Sequence, residues 1–235
     1  FCFGVVVSIH VAVIHCGVGE HEIIVMEAAS TKIVSRNVKT NFYYGLLFSP
    51  DGLTLYASGG ESEVVYAFPF SKGYLGEPRE IRIAPESERH VPCGIALSPD
   101  GKTLAVAEAW GDAVTLVDAQ AGLSARRIAF EEEDWPYDVR YTPDGSKLIV
   151  SLWGGGGLAA IDPTQPGAKP QRIATGDHPN EIAMTRDGSR VYVANANVNT
   201  VSAIDTKTGA VIETLNTAIY PDALEGSTPN AVALN

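Results

Sequence analysis

Four side chains in this sequence have the right types to hold a divalent cation, and each precedes or enters a short apolar run: His90, Asp138, His178 and Glu181. His90 lies just ahead of Val91-Pro92-Cys93-Gly94, and His178 ahead of Pro179-Asn180-Glu181. Asp138 closes Trp135-Pro136-Tyr137-Asp138. Two imidazoles and two carboxylates around one opening suit Ca, Zn or Mn, whose charge polarises a carbonyl or phosphoryl oxygen or lowers the pKa of bound water. Asp138, Glu181 and His178 are then the expected catalytic groups of a metal-assisted hydrolase of lactones, esters or phosphoesters. Trp135, Tyr137, Asn180, Asn230 and Tyr44 lie in the segments that enter these runs and are the expected substrate contacts. A plainer reading of the same residues is that His-Pro and Pro-Asn make turns while Asp and Glu keep a channel polar. Signatures of other chemistries are absent: His21-Glu22 lacks the second histidine of a zinc-protease motif, and there is no nucleophile elbow or phosphate-binding glycine loop.

The elements that must position these residues are repeated. Ser49-Pro50-Asp51-Gly52, Ser98-Pro99-Asp100-Gly101, Thr142-Pro143-Asp144-Gly145 and Thr185-Arg186-Asp187-Gly188 recur at spacings of 49, 44 and 43 residues. Proline presets φ, aspartate accepts bonds from the backbone just ahead and glycine takes positive φ, so each copy predicts a hairpin tip. An apolar run precedes each tip, such as Gly94-Ile95-Ala96-Leu97, and another follows it, such as Leu104-Ala105-Val106-Ala107. A polar or glycine-rich loop leads to a third strand ending in Asp118, Asp162 or Asp205, and a fourth segment completes the unit. Four strands per period of about 45 residues predict an all-β chain forming a β-propeller. The predicted blades span approximately 1–40, 41–88, 89–131, 132–176 and 177–226, with an orphan first strand at 227–235. Such a chain is either a small closed ring or a portion of a larger propeller. Open sheet edges would make it a homodimer.

The string Val191-Tyr192-Val193-Ala194-Asn195, followed by Asn199-Thr200-Val201-Ser202-Ala203-Ile204-Asp205 and Thr208-Gly209, resembles the YVTN-type β-propeller repeat over residues 41–235, with Ala194 in place of the threonine. Thr217-Ala218-Ile219-Tyr220-Pro221 and Gly226-Ser227-Thr228-Pro229-Asn230 resemble the branch that often precedes a C-terminal phosphoesterase domain, which this sequence lacks. The resemblance implies seven blades and a periplasmic or extracellular setting. The sequence departs from it in blade number and in a first blade without the Pro-Asp-Gly tip.

Charge and composition narrow the partners. A net charge of −11 gives no basic surface to follow a phosphate backbone, so nucleic acid is not expected. The apolar stretch 1–18 is interrupted by His10, His15 and Ser8 and reads as two buried strands, so no membrane insertion is expected. Three cysteines, Cys2, Cys16 and Cys93, form no CxxC pair and indicate neither a disulfide framework nor a zinc ribbon. Trp110 and Trp153 fall in matching loops, and Glu131 to Asp134 reads as a solvated acidic face. Two functions follow: a hydrolase with a small-molecule site at the channel mouth, or a non-enzymatic module for binding and assembly. Convergence of His90, Asp138, His178 and Glu181 distinguishes them.

Overall fold

A computed structural model describes residues 2–7, 10–16, 21–39, 41–167, 169–220, 224 and 229–234. The strands fall into five antiparallel sheets in chain order. Blade one is β1 (Cys2–Val7), β2 (His10–Cys16), β3 (His21–Glu27) and β4 (Ile33–Lys39). Blade two is β5 (Leu46–Phe48), β6 (Thr54–Ser58), β7 (Val64–Ser71), a two-residue strand β8 (Tyr74–Leu75) and β9 (Arg79–Arg82). Blade three is β10 (Pro92–Leu97), β11 (Thr103–Glu108), β12 (Ala113–Asp118) and β13 (Ser124–Ala129). Blade four is β14 (Pro136–Tyr141), β15 (Leu148–Leu152), β16 (Gly157–Ile161) and β17 (Gln171–Ala174). Blade five is β18 (Pro179–Met184), β19 (Arg190–Asn195), β20 (Thr200–Asp205) and β21 (Ala210–Asn216). The longer spacing between the first two hairpin tips has its cause in the extra β7–β8 hairpin, where Ser71 pairs with Tyr74.

Each hairpin tip forms as its residues require. The glycine amide donates to the Ser or Thr carbonyl three residues back at 2.8–2.9 Å, and Gly52, Gly101, Gly145 and Gly188 all sit at φ of 70–73°. At Thr142 and Thr185 the hydroxyl donates to Asp144 or Asp187 at 2.6 Å, and each carboxylate also accepts an amide at 3.0 Å.

The core is divided among the blade interfaces, because a sheet apolar on both faces must be covered on both. Ile23 and Val25 of blade one meet Phe42, Leu55 and Phe68. Tyr56, Val65 and Ile81 of blade two meet Ile95, Leu104 and Val106 of blade three. Val114, Leu116 and Ile128 meet Val139, Leu148 and Val150 of blade four. Leu158 and Ile173 meet Ile182, Val191 and Ile204 of blade five. One hydrophobe of each outer strand, Ile81, Ile128 or Ile173, pairs with the third strand and is buried by the next blade. Its counterpart in blade five, Leu215, pairs with Val201 but is 40% exposed, beside exposed Val211 and Ile212.

The orphan strand differs from the sequence reading. Residues 229–234 form no ladder, and 227, 228 and 235 lie outside the described residues. Asn230 nevertheless bonds to Asn180 at 2.9 Å, and the Val232 amide bonds to Glu181, so the segment runs beside the inner strand of blade five.

The carboxyls of Asp144 and Asp187 are held down to about 2 by the hydroxyls and amides of their own turns. An unfolded aspartate titrates at roughly 3.9. Their stabilising contribution is therefore complete above the unfolded value and disappears as pH falls towards 2. The Asp144→Asn, Asp187→Asn double variant should unfold at lower denaturant than the wild type at pH 7, and that gap should close by pH 2.

Candidate functional site

The inner strand of blades three, four and five starts in the same way. A residue in the left-handed region, Val91 (φ 54°), Trp135 (φ 47°) or His178 (φ 50°), precedes a proline. The ladder then shifts register between Pro92 and Ile95, Pro136 and Val139, and Pro179 and Ile182. Two residues are thereby bulged out of each inner strand: Cys93-Gly94, Tyr137-Asp138 and Asn180-Glu181. A bulge re-aims side chains that a regular strand would alternate between faces. In blade two the equivalent pair is Tyr44-Gly45, whose glycine amide donates to Ser58 Oγ at 2.8 Å, as Asp138 N donates to Ser151 Oγ at 2.9 Å.

The first bulged residues of blades two, three and four meet one another. Tyr44 of blade two and Tyr137 of blade four have ring centroids 4.7 Å apart, and Cys93 of the intervening blade is buried with them. Side chains two blades apart meet only across the axis. Asn180 holds the same bulge position in blade five. It is 7% exposed and donates through Nδ2 to Asn230 Oδ1, while its Oδ1 accepts no hydrogen bond among the described residues.

The second residue of each pair faces the neighbouring blade. Gly94 has no alternative, because a Cβ there would lie 2.6 Å from both Asp138 Cα and Tyr137 O. That close approach carries the fully buried Asp138 carboxylate between blades. Its Oδ2 accepts the Ile182 amide of blade five at 2.9 Å, and its Oδ1 accepts the Val139 amide at 2.8 Å. Arg140 Nη1 lies 3.0 Å from the same Oδ1, and the Tyr44 hydroxyl also bonds to the carboxylate. Arg140 additionally donates to Ile182 O and Val139 O. Burial pushes the Asp138 carboxyl up from its ordinary range, and Arg140, the two amides and Tyr44 offset only part of that shift. Half-buried Glu181 repeats the geometry one blade later, accepting the Val232 amide. Burial, then the nearby Asp138 charge, raises its pKa as well.

The four-residue metal set expected from the sequence is not assembled, and no group of three or more His, Cys, Asp or Glu among the described residues is placed to hold an ion. The reason is register. His178 occupies the left-handed position immediately before its proline, whereas His90 lies one residue earlier, so they do not share a frame. His90 is held between carboxylates, with Nδ1 2.6 Å from buried Glu108 and Nε2 3.0 Å from Glu88. His178 Nδ1 sits 2.9 Å from Asp177 and 2.8 Å from Asn197 Nδ2, and its ring stands edge-on to Trp153 at 4.2 Å. Trp135 stacks on Trp153 at 5.4 Å, while Trp110 is separate and 54% exposed. Asp134 also departs from the expected solvated face: it is 4% exposed and paired with Arg172.

Of the expected contacts, Tyr44, Tyr137, Asp138, Asn180, Glu181 and Asn230 are brought together at the inner ends of the blades. Arg140 belongs with them and was not anticipated. Its signal was a lone cation at a repeat position that holds Leu47, Ala96 and Ala183 elsewhere.

No family model and no curated protein matches the chain. Solved structures do. Hydrazine synthase of Kuenenia stuttgartiensis is 25% identical with a TM-score of 0.65, over 74% of this chain and 49% of that one. The Cps50 (Swd1) β-propeller domain of Myceliophteria thermophila is 17% identical with a TM-score of 0.60, over 74% and 55%. A candidate 6-phosphogluconolactonase of Bacteroides uniformis is 16% identical with a TM-score of 0.72, over 91% and 69%. The fold is a β-propeller. This chain matches about half the length of the first two.

Removing Asp138 strands Arg140 and the Ile182 amide. Asp138→Ala should cost about 3 kcal/mol, the range for breaking one side of a buried pair, as read by guanidinium unfolding.

Proposed function

We propose that this chain is a binding propeller that takes a small molecule at its channel mouth without a resident metal. The observation that carries this reading is the arrangement around Arg140. Tyr44 and Arg140 bond to the buried Asp138 between the inner strands, while a third of the Arg140 side chain and half-buried Glu181 remain accessible. Donors and acceptors of both kinds, grouped at the inner ends of the blades, are the ordinary makings of a ligand site. The two histidines, which a metal-assisted reaction would need, are engaged elsewhere.

A second reading, metal-independent hydrolysis of a lactone or ester, is favoured by one group. Glu181 is a half-buried carboxylate whose pKa lies above its ordinary range, the condition under which a carboxylate becomes an effective base nearer neutral pH. The resemblance of the fold to a candidate 6-phosphogluconolactonase accords with this reading at the level of architecture alone. The resemblance to YVTN-type repeats supports a periplasmic or extracellular setting.

One panel separates these readings. Neutral, anionic and cationic small molecules are screened by thermal shift with and without a chelator, and lactone, ester and phosphoester hydrolysis is followed in parallel. Stabilisation by one chemical class, unchanged by chelator and without turnover, is expected. Turnover lost in Glu181→Gln would establish the hydrolase instead. Binding or turnover abolished by chelator would overturn the metal-free account.

A further inference from the structure

A cleft of about 580 Å³ opens between blades two and three, at the hairpin-tip end of the inner strands and so at the opposite end from the bulges. The tip of blade two lines it through Asp51, the tip of blade three through Asp100, and Tyr56, Glu77 and Arg79 complete its polar surface. Pro69 and Glu77, which flank the extra β7–β8 hairpin, also line it, so the insertion that sets blade two apart borders this cleft. Tyr56 is only 6% exposed, and its hydroxyl makes no hydrogen bond among the described residues. Unlike Asn180 Oδ1, that hydroxyl is not a sealed atom, and the charges of Arg79 and Asp51 both act on it. Folding has taken the ring out of water and left the hydroxyl to whatever enters the cleft.

The charges around it set the sign of the ligand. Three carboxylates, Asp51, Glu77 and Asp100, face one cation, Arg79, whose Nη2 already donates to Ala119 O at 2.9 Å. Each tip carboxylate spends its Oδ1 within its own turn, on Ser49 and the Leu53 amide or on Ser98 and the Lys102 amide. Those bonds hold both carboxyls below their ordinary range, so both are charged at neutral pH. Asp51 Oδ2 accepts nothing among the described residues, and Asp100 Oδ2 meets only the exposed Lys102, at 3.7 Å. An anion entering the cleft meets an excess of its own sign, whereas an ammonium group brings three donors to oxygens that lack them. Pro50, Leu53 and Pro69 offer apolar surface to a chain attached to it.

We propose that the cleft between blades two and three is a second binding site, separate from the channel mouth, and that it takes a primary amine on an alkyl chain. The ammonium group donates to Asp51 Oδ2 and to the Tyr56 hydroxyl oxygen, Asp100 and Glu77 add negative potential, and the chain lies along Leu53 and Pro69. A free alkylamine and a lysine side chain share this chemistry.

The test is titration calorimetry with pentylamine, pentanoate and Nα-acetyl-lysine methylamide as probes. Pentylamine should bind the wild type and pentanoate should not. Tyr56→Phe, which keeps the ring and removes the hydroxyl, should weaken pentylamine by about fivefold, in line with the loss of one hydrogen bond. Asp51→Asn should weaken it further, whereas Asp187→Asn, the same change at a tip that does not line the cleft, should leave it unchanged. Unfolding midpoints show which variants fold, and if Asp51→Asn does not, the exposed Glu77→Gln should weaken binding in its place. Tighter binding of the lysine derivative than of pentylamine assigns the site to a peptide lysine and the reverse order to a free amine, and either upholds the proposal. Equal binding of pentanoate, unchanged affinity in a folded Tyr56→Phe, or equal weakening by Asp187→Asn overturns it. Binding lost in Glu181→Gln and unaffected in Tyr56→Phe overturns the cleft site while upholding a channel-mouth ligand, and failure of both amines overturns the cleft site alone.

Discussion

The joints between blades depend on a recurring interaction, a carboxylate of one blade accepting a backbone amide of the next inner segment. Asp138 does this to Ile182 and Glu181 to Val232. Glu63 of blade two likewise accepts the His90 and Val91 amides, and Asp112 of blade three those of Glu133 and Trp135, whereas the apolar contacts between blades are non-directional and would allow sliding. A charge-assisted bond from a buried carboxylate to a main-chain donor fixes both the distance and the register between neighbouring blades. Gly94 matters for the same reason, since any side chain there would push Asp138 away. Arg140 then keeps the buried charge tolerable, and Tyr44 reaches across the axis to complete the group.

This constraint explains why the chemistry suggested by residue types does not assemble. Aspartate and glutamate at the channel resemble metal ligands on paper, yet burial and amide bonds commit them to joining blades. The histidines sit at the outer side of the bulge, where each meets its own carboxylate.

Much of the fold was legible because the repeat carries its own turn chemistry. Pro-Asp-Gly tips, alternating apolar runs and third strands ending in aspartate located the blades, and even the tipless first blade forms four strands. The bulge was not legible, because a register shift depends on which residue accepts a left-handed φ, and Val91, Trp135 and His178 share no side-chain property that announces it. Without the bulge, His90 and His178 look equivalent and Asp138 looks solvated. Arg140 escaped notice for a related reason: a charge on an inner strand has meaning only once its partner's burial is known.

The most direct test of the claim that the channel acids join blades is amide hydrogen exchange at Val232, measured with and without chelator in the wild type and in Glu181→Ala. Val232 should be protected in the wild type irrespective of chelator and should exchange faster in the variant, with the strands of blades two to four unchanged. Protection that persists in Glu181→Ala, or that vanishes in the wild type when a divalent ion is removed, would contradict the account.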